Sequence, residues 1–272
     1  MILIDTHSHL YAEEFDADRA EALERARERG VERLLLPAID SESHERLFNL
    51  TRQASDICRP MMGLHPTSVN ENPRWREELE LVEEYLMHPP QQIKFCAVGE
   101  IGLDYYWSTD YVALQREAFI WQCRLATRLD LPVVIHTRSA WEDMVTILEA
   151  ECRRAEQQGQ RLRGVLHAYS EDAATYRRLR DCGDWLFGVG GVVTFKKSSL
   201  AEAVKEMDLS NIVLETDCPY LTPAPHRGKR NESAYVSHIC DKVAELKGVE
   251  PDEVARITSQ NARRMFLSEE SA

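Results

Sequence analysis

The sequence predicts an α/β protein of the (β/α)8 type, a TIM barrel in which eight parallel strands alternate with helices. Short apolar runs rich in β-branched residues alternate along the chain with longer amphipathic stretches. Near-continuously apolar strands separated by helices are typical of a parallel sheet that is covered on both faces. The chain has 272 residues, close to the roughly 250 residues typical of such a barrel. We therefore expect one domain over residues 1–272.

Eight apolar runs are the expected strands, and the stretches between them are the expected helices. The runs are residues 2–5, 31–38, 59–64, 95–102, 131–136, 164–167, 185–191 and 211–217. Between the fourth and fifth runs, apolar residues recur at intervals of three and four, as one buried helix face requires. They are Leu114, Ala118, Trp121 and Leu125. A doubly wound open sheet is the alternative, but it usually has a glycine-rich turn after the first strand, and the turn here, DTHSH, contains no glycine.

The composition is that of a globular protein, with 43% hydrophobic and 29% charged residues. No apolar run approaches the roughly 20 residues that span a bilayer, and Asp5 and His7 come too early for a signal peptide. The seven cysteines include no C-x-x-C pair, which argues against a zinc ribbon and a disulfide framework. We expect a cytoplasmic protein with reduced thiols, no membrane association and no obligate protein partner.

The net charge of −13 argues against a protein that wraps duplex DNA. A nucleic-acid substrate would therefore need a local basic cluster. Such a cluster occurs at residues 226–230 in the sequence HRGKR, within a long irregular segment. Loops of that length are more often functional than connective.

Metal-ligand side chains occur at the expected C-terminal ends of several strands, which is where barrels of this type carry their active sites. They are His7, His9, Glu100, His136, His167 and Asp217. A single histidine there is more often a hydrogen-bonded structural residue, and a single carboxylate often caps a helix. Six such residues from five strands are much harder to explain in that way. Four imidazoles and two carboxylates suit Zn²⁺ or a similar divalent ion, and they are enough for two ions.

Motifs along nearly the whole chain resemble the TatD family of metal-dependent deoxyribonucleases, in the amidohydrolase superfamily. In order, they are DTHSHL, GLHP, GEIGLDYY, QREAFIWQCRLATRLDLPVVIHTR, GVVTFKKS, LETDCPYLTPAPHRGKRNE and TSQNARRMF. The resemblance implies a TIM barrel of the metal-dependent hydrolase type. It also implies two divalent ions (Zn²⁺, Mg²⁺ or Mn²⁺) and hydrolysis of phosphodiester bonds, with single-stranded DNA as the usual substrate of a 3′–5′ exonuclease.

The resemblance also assigns roles by position. His7, His9 and Asp217 would bind the first metal, and Glu100 would bridge both. The second metal would be completed by His136 and His167. Asp217 and Glu100 are then the expected catalytic residues, and Asp217 either accepts the proton of a metal-activated water or acts only as a ligand. Glu215, two residues before Asp217, is expected to orient a ligand histidine.

The sequence departs from the family pattern in two motifs. After the strand-six histidine, HAYSE has Ala168 where cysteine is usual and Glu171 where glycine is usual. In the final loop, RNES has Ser233 where proline is usual. None of these changes removes a ligand, but all three bear on substrate preference.

Substrate contacts are expected from cationic and aromatic residues near the strand ends. The candidates are His65, Arg138, Lys196, Arg227 and Lys229, with Lys197 and Arg230 as neighbours in the same motifs. Tyr105, Tyr106 and Trp107 either stack on unpaired bases or pack on the barrel rim.

A hydrolase of a small-molecule ester, lactone or amide is the competing hypothesis. The acidic composition favours it, whereas the basic loop at 226–230 favours the nuclease. A narrow pocket would support the small-molecule hydrolase. An open groove lined by Arg227 and Lys229 would support the nuclease.

Overall fold

The computed structural model describes residues 1–196 and 198–267. The strands are β1 (Leu3–Asp5), β2 (Val31–Leu36), β3 (Cys58–Pro60), β4 (Val98–Asp104), β5 (Val133–Arg138), β6 (Arg163–Leu166), β7 (Asp184–Val189) and β8 (Ile212–Leu214). The α-helices are α1 (Arg19–Glu28), α2 (Ser41–Gln53), α3 (Trp75–Met87), α4 (Val112–Arg128), α5 (Trp141–Gln157), α6 (Ala173–Arg180), α7 (Ser199–Glu206), α8 (Val236–Lys247) and α9 (Pro251–Phe266). Strands and helices alternate, as the sequence predicts.

The strands form a ring in chain order. Parallel pairing runs from β1 to β3 and from β4 to β8. A bridge between Met62 and Val98 joins β3 to β4, and a bridge between Ser8 and Cys218 joins the ends of β1 and β8. The predicted (β/α)8 barrel is therefore confirmed, since a doubly wound sheet would leave two open edges.

The inside of the barrel is filled by apolar side chains from all around the ring. They are Ile4, Leu35, Met61, Ala97, Val134, Val165, Leu186 and Val213, and they pack with Ala262, Met265 and Phe266 of α9. In α9, Ser259 donates a hydrogen bond to the carbonyl of Ile2 (3.1 Å), and Asn261 donates one to the carbonyl of Ile212 (2.8 Å). Helix α9 thus covers the end where the strands begin, which leaves the other end for an active site.

The buried face of helix α4 differs from the face that the apolar pattern predicts. Ala118 and Leu125 are buried as predicted, but Leu114 and Trp121 are only partly buried. The buried face instead includes two glutamines. Their side chains form hydrogen bonds with backbone groups of other elements. Gln115 accepts from the N–H of Asp104 at 2.8 Å, and Gln122 accepts from the N–H of Leu64 at 2.8 Å. Buried backbone groups need such partners, so polar residues belong on this face.

Several strands end at other residues than predicted, and this changes how the site is built. Strand β4 continues to Asp104 rather than ending at 102, so Glu100 lies further from the end of the strand than predicted. Strand β8 ends at Leu214, so Asp217 follows it in a loop rather than ending the strand as predicted. The carboxylate of Asp5 explains this early end, because it accepts from the N–H of Thr216 at 2.9 Å and from its hydroxyl at 2.6 Å. A side chain thereby replaces strand pairing at this point.

None of the helices within 1–196 and 198–267 combines the length and apolar character needed to cross a membrane.

Candidate metal centre

Glu100 lies at the centre of the cluster at the C-terminal end of the barrel. Its Oε2 atom is 3.1 Å from Nε2 of His7 and 3.7 Å from Nε2 of His9. Its Oε1 atom is 3.0 Å from Nδ1 of His136 and 3.9 Å from Nε2 of His167. One oxygen of this carboxylate therefore faces His7 and His9, and the other oxygen faces His136 and His167.

Asp217 faces the same cluster from the loop after β8. Its Oδ1 atom is 3.6 Å from Nε2 of His9 and 3.6 Å from Nε2 of His167. Its φ of 58° lies in the left-handed region, where its backbone N–H donates to the carbonyl of His7 at 2.9 Å. Burial raises the pKa of the Asp217 carboxyl to about 7. Strained backbone held by hydrogen bonds is common where a side chain must point into an active site.

The tautomer of His9 is set by Tyr11. The hydroxyl of Tyr11 donates to the carbonyl of Pro37 at 2.7 Å, so its oxygen accepts from Nδ1–H of His9 at 2.9 Å. The proton on Nδ1 leaves the lone pair of Nε2 directed at the cluster. A hydrogen bond of this kind orients a metal-binding histidine and increases its basicity.

His167 is held by Glu215 on the side away from the cluster. Nδ1 of His167 is 3.0 Å from Oε1 of Glu215, and the ring stacks on that of His7 with centroids 3.4 Å apart. Burial would lower the pKa of His167, but Glu215 and Asp217 outweigh burial and raise it to about 10. Glu215 therefore lies beside His167, and its orienting role stays a prediction.

Gly188 in β7 makes room for Glu215. A Cβ atom at Gly188 would lie 2.2 Å from Oε2 of Glu215, whereas a Cβ at Gly190 would meet its nearest atom at 3.7 Å. We expect Gly188→Ala to displace Glu215, to lower the free energy of unfolding by about 1–3 kcal/mol and to weaken metal binding by roughly 10- to 100-fold. Denaturant unfolding and metal titration measure the two effects. Gly190→Ala is the matched control, and equal behaviour of the two variants would contradict the prediction.

Both ring nitrogens of His136 face carboxylates. Nδ1 is 3.0 Å from Glu100, and Nε2 is 2.9 Å from Oδ2 of Asp104. Burial would lower the pKa of His136, but the hydrogen bonds to Asp104 and Glu100 outweigh burial and raise it to about 9. With Nε2–H donating to Asp104, Nδ1 is the nitrogen left for a metal beside Glu100.

His65 is oriented differently from the other histidines. Its Nδ1 atom accepts from the backbone N–H of Thr67 at 3.2 Å, so in the neutral ring the proton is on Nε2. Nε2 lies 3.6 Å from Oε1 of Glu100. A nitrogen that carries a proton donates a hydrogen bond rather than a lone pair, which suits a contact with substrate better than metal ligation.

The donor set fits divalent metal ions. Three groups of side chains have ligand atoms that all lie within 4.8 Å of one another. The groups are His7–Glu100–His167, His7–His9–Asp217 and His65–Glu100–His136. Glu100 belongs to two of them, whereas the expected pair His136 and His167 falls into different groups. The carboxylates that raise the pKa of His136 and His167 also favour positive charge at this point.

A cavity of about 790 Å³ opens above the cluster. Trp107, Tyr220 and Leu221 line it with 67%, 55% and 39% of their surface exposed. Tyr106, 57% exposed, packs edge-on against Trp107. The guanidinium of Arg138 lines the cavity and lies 3.6 Å from the centre of the Tyr106 ring. Large apolar side chains exposed together in this way are typical of a binding surface.

The predicted substrate contacts divide into two sets. His65 and Arg138 line the cavity, but the described residues that line it do not include Lys196, Arg227 or Lys229. Arg227 lies over the ring of Phe195 at 3.7 Å. Lys197 lies outside the described residues. The basic cluster at 226–230 therefore does not form the wall of this cavity.

The three residues that depart from the family pattern lie in different surroundings. Ala168 lines the cavity, and its backbone N–H donates to Oε1 of Glu215 at 2.6 Å. Ser233 is buried with its hydroxyl 3.0 Å from that of Ser8, between His7 and His9 in sequence. Proline could not make that hydrogen bond. Glu171 is half-buried and lies outside the cavity lining.

Asp104 and Tyr11 are site residues that sequence reasoning missed. Glu100, Gly102 and Asp104 alternate along β4, so they point to the same side of the strand. Extending the strand by two residues would have found Asp104. Tyr11 follows His9 by two residues, but no sequence pattern indicates that its hydroxyl turns back to Nδ1.

The similarity to known proteins extends over nearly the whole chain. The model of the family described as TatD related DNase matches residues 4–267. A metal-dependent hydrolase of Bacillus subtilis, YabD, is 38% identical over 97% of this chain and 99% of its own length. A protein of Erwinia tasmaniensis named 3′-5′ ssDNA/RNA exonuclease TatD is 31% identical over 97% of this chain and 99% of its own length. The crystal structure of YjjV, a TatD homologue of Escherichia coli, superposes with a TM-score of 0.85 at 27% identity, covering 97% of each chain.

Proposed function

Because this chain belongs to the TatD-related DNase family and is a metal-dependent hydrolase of that type, we propose that it degrades single-stranded DNA as a 3′–5′ exonuclease. The observation that carries the proposal is the cavity rim, where Tyr106 and Trp107 stand exposed beside Arg138 and Tyr220 is exposed in the same cavity. Aromatic faces stack on unpaired bases, and a guanidinium pairs with a phosphate. A strand threaded over this rim would bring a phosphate to Glu100.

The proposed centre holds two divalent ions, and Zn²⁺, Mg²⁺ and Mn²⁺ are the candidates. When bound, such ions supply Lewis acidity to the phosphate and to the attacking water. The ligands would be His7, His9, Glu100, His136, His167 and Asp217. In this mechanism Asp217 accepts the proton of the attacking water. His65 donates a hydrogen bond from Nε2 to a phosphate oxygen, and Arg138 binds the phosphate next to the one that is cleaved.

The test is hydrolysis of an oligonucleotide labelled at its 5′ end, with protein loaded separately with Mg²⁺, Mn²⁺ or Zn²⁺. We expect a ladder that shortens from the 3′ end on linear single strands, and no cleavage of a circular single strand. His136→Ala is the inactive control. If no metal supports cleavage while carboxylic esters or lactones are turned over, the nuclease proposal is wrong.

A small-molecule ester, lactone or amide is the second candidate substrate. The observation that favours it is the cavity itself, since about 790 Å³ falls within the roughly 300–1,000 Å³ usual for small ligands. Lys196, Arg227 and Lys229 are also absent from its described lining. The ester and lactone arm of the same experiment tests this candidate.

Trp107 offers a way to separate base binding from bond cleavage. We expect Trp107→Ala to lower kcat/KM on single-stranded DNA by roughly 10- to 100-fold, since stacking contributes about 1–3 kcal/mol per base. Hydrolysis of bis(p-nitrophenyl) phosphate, which has no base, should change much less. Trp107→Phe keeps an aromatic face and should restore most of the loss. An equal loss on both substrates would show that Trp107 does not bind a base.

We also propose that the chain works as a single domain over residues 1–272, in the cytoplasm and without an obligate protein partner. The family match over residues 4–267 supports one domain. Six of the seven cysteines are buried, which suits reduced thiols in a reducing compartment.

A further inference from the structure

Two histidines outside the metal centre also place their ring nitrogens together. His226 lies in the loop after β8, and His238 lies in the first turn of α8. Their Nε2 atoms are 3.2 Å apart. Neither residue lines the cavity above Glu100, so the mechanism proposed above does not use this pair.

The spacing of the pair matches that of two ligands on one ion. Imidazole nitrogens about 2.0–2.1 Å from a tetrahedral zinc ion lie roughly 3.3–3.4 Å from each other. The metal centre offers an internal comparison, because Nε2 of His7 and Nε2 of His9 are 3.3 Å apart. The two pairs therefore present the same donor atoms at nearly the same separation.

The rings of the pair are held in place by their neighbours. His226 stacks on Tyr235 with centroids 4.1 Å apart and an angle of 8° between the rings. Both histidines are partly buried. Side chains that are already ordered lose less entropy on binding. Burial, together with His226, lowers the pKa of His238, so the neutral ring, which is the form that binds metals, prevails at neutral pH.

Charges of both signs lie near His238. A cavity of about 370 Å³ beside it is lined by Glu28 and Asp241, and by Arg29 and Met1, whose amino group is also positively charged. Asp241 follows His238 by three residues in α8, so both lie on the same face of the helix. The cavity is large enough to admit water beside His238.

We propose that His226 and His238 form a separate site for a borderline divalent transition metal, of the Zn²⁺, Ni²⁺ or Cu²⁺ class, with water as the remaining ligands. An ion bound there would tie the loop after β8 to α8. Ligands that bind only the folded state stabilise it, so the ion would stabilise this segment without taking part in hydrolysis.

The test counts zinc bound by the full chain after its metal centre has been loaded. In equilibrium dialysis against Zn²⁺, we expect the wild-type protein to bind one equivalent more than His226→Ala or His238→Ala. Zn²⁺ should also raise the thermal unfolding midpoint of the wild type more than that of either variant. His88→Ala, which removes an exposed histidine elsewhere, should behave as the wild type.

His238→Gln provides a second variant in case alanine disturbs the packing of α8. Circular dichroism checks that each variant is folded, and hydrolysis of the oligonucleotide checks that the metal centre is intact. Loss of one zinc equivalent with hydrolysis preserved would support the proposal. Equal zinc counts in the folded wild type and variants would overturn it and leave the pair as a hydrogen bond, whatever the outcome of the nuclease assay.

Discussion

Glu100→Gln is expected to slow hydrolysis about a thousandfold while leaving the barrel folded. Glutamine keeps the shape of the side chain but removes the charge that both sets of imidazoles face. Burial would raise the pKa of the Glu100 carboxyl, yet His7 and His65 outweigh burial and hold that pKa well below its usual range. The carboxylate form is therefore the one present, and its charge is what the variant loses.

The size of the effect follows from what bound ions contribute. Lewis-acid stabilisation of a transition state amounts to several kcal/mol, and about 4 kcal/mol corresponds to roughly a thousandfold in rate. We expect Glu100→Gln to lose about this factor in kcat, together with most of its bound metal. Oligonucleotide hydrolysis and elemental analysis of the dialysed protein measure the two losses.

The control is Glu171→Gln, because Glu171 is a half-buried carboxylate after β6 that the cluster does not contain. This variant should keep its metal and most of its rate. If Glu100→Gln kept its bound metal and hydrolysed the oligonucleotide at the wild-type rate, Glu100 would not be part of the proposed metal centre.

The sequence predicts the barrel well because the signal is repeated along the chain. Eight apolar runs separated by helical stretches remain recognisable even where individual ends are wrong. The ligand-type residues could be named because each follows or lies within one of these runs. Asp217 shows the limit, since it was expected at the end of a strand and lies in the loop beyond it.

Contacts that depend on tertiary closure could not be predicted from pattern alone. The turn of Tyr11 towards His9 requires the carbonyl of Pro37 in the next βα segment. The buried glutamines of α4 match no apolar repeat, because their purpose is to bond backbone groups on other elements. The basic loop illustrates the same limit, since sequence proximity to Asp217 does not place Arg227 in the wall of the cavity.

Asp217→Asn is expected to slow hydrolysis by roughly 100- to 10,000-fold, the range usual for loss of a general base, while metal remains bound. Asparagine keeps an oxygen that can face His9 and His167. It also tolerates the left-handed backbone that Asp217 adopts at φ 58°, whereas alanine would add strain there and disturb the loop after β8. Asparagine cannot accept a proton at neutral pH, so the substitution separates proton transfer from metal binding.

The measurement is kcat on a labelled single strand, with metal content determined on the same sample. A slow enzyme with full metal content is the expected result and assigns the proton-accepting role to Asp217. An unchanged rate with metal still bound would remove Asp217 from that role and leave it as a ligand. Loss of metal together with rate would show ligation to be its main contribution, because Oδ1 faces three imidazole nitrogens within 3.9 Å and an amide oxygen binds a divalent ion more weakly than a carboxylate does.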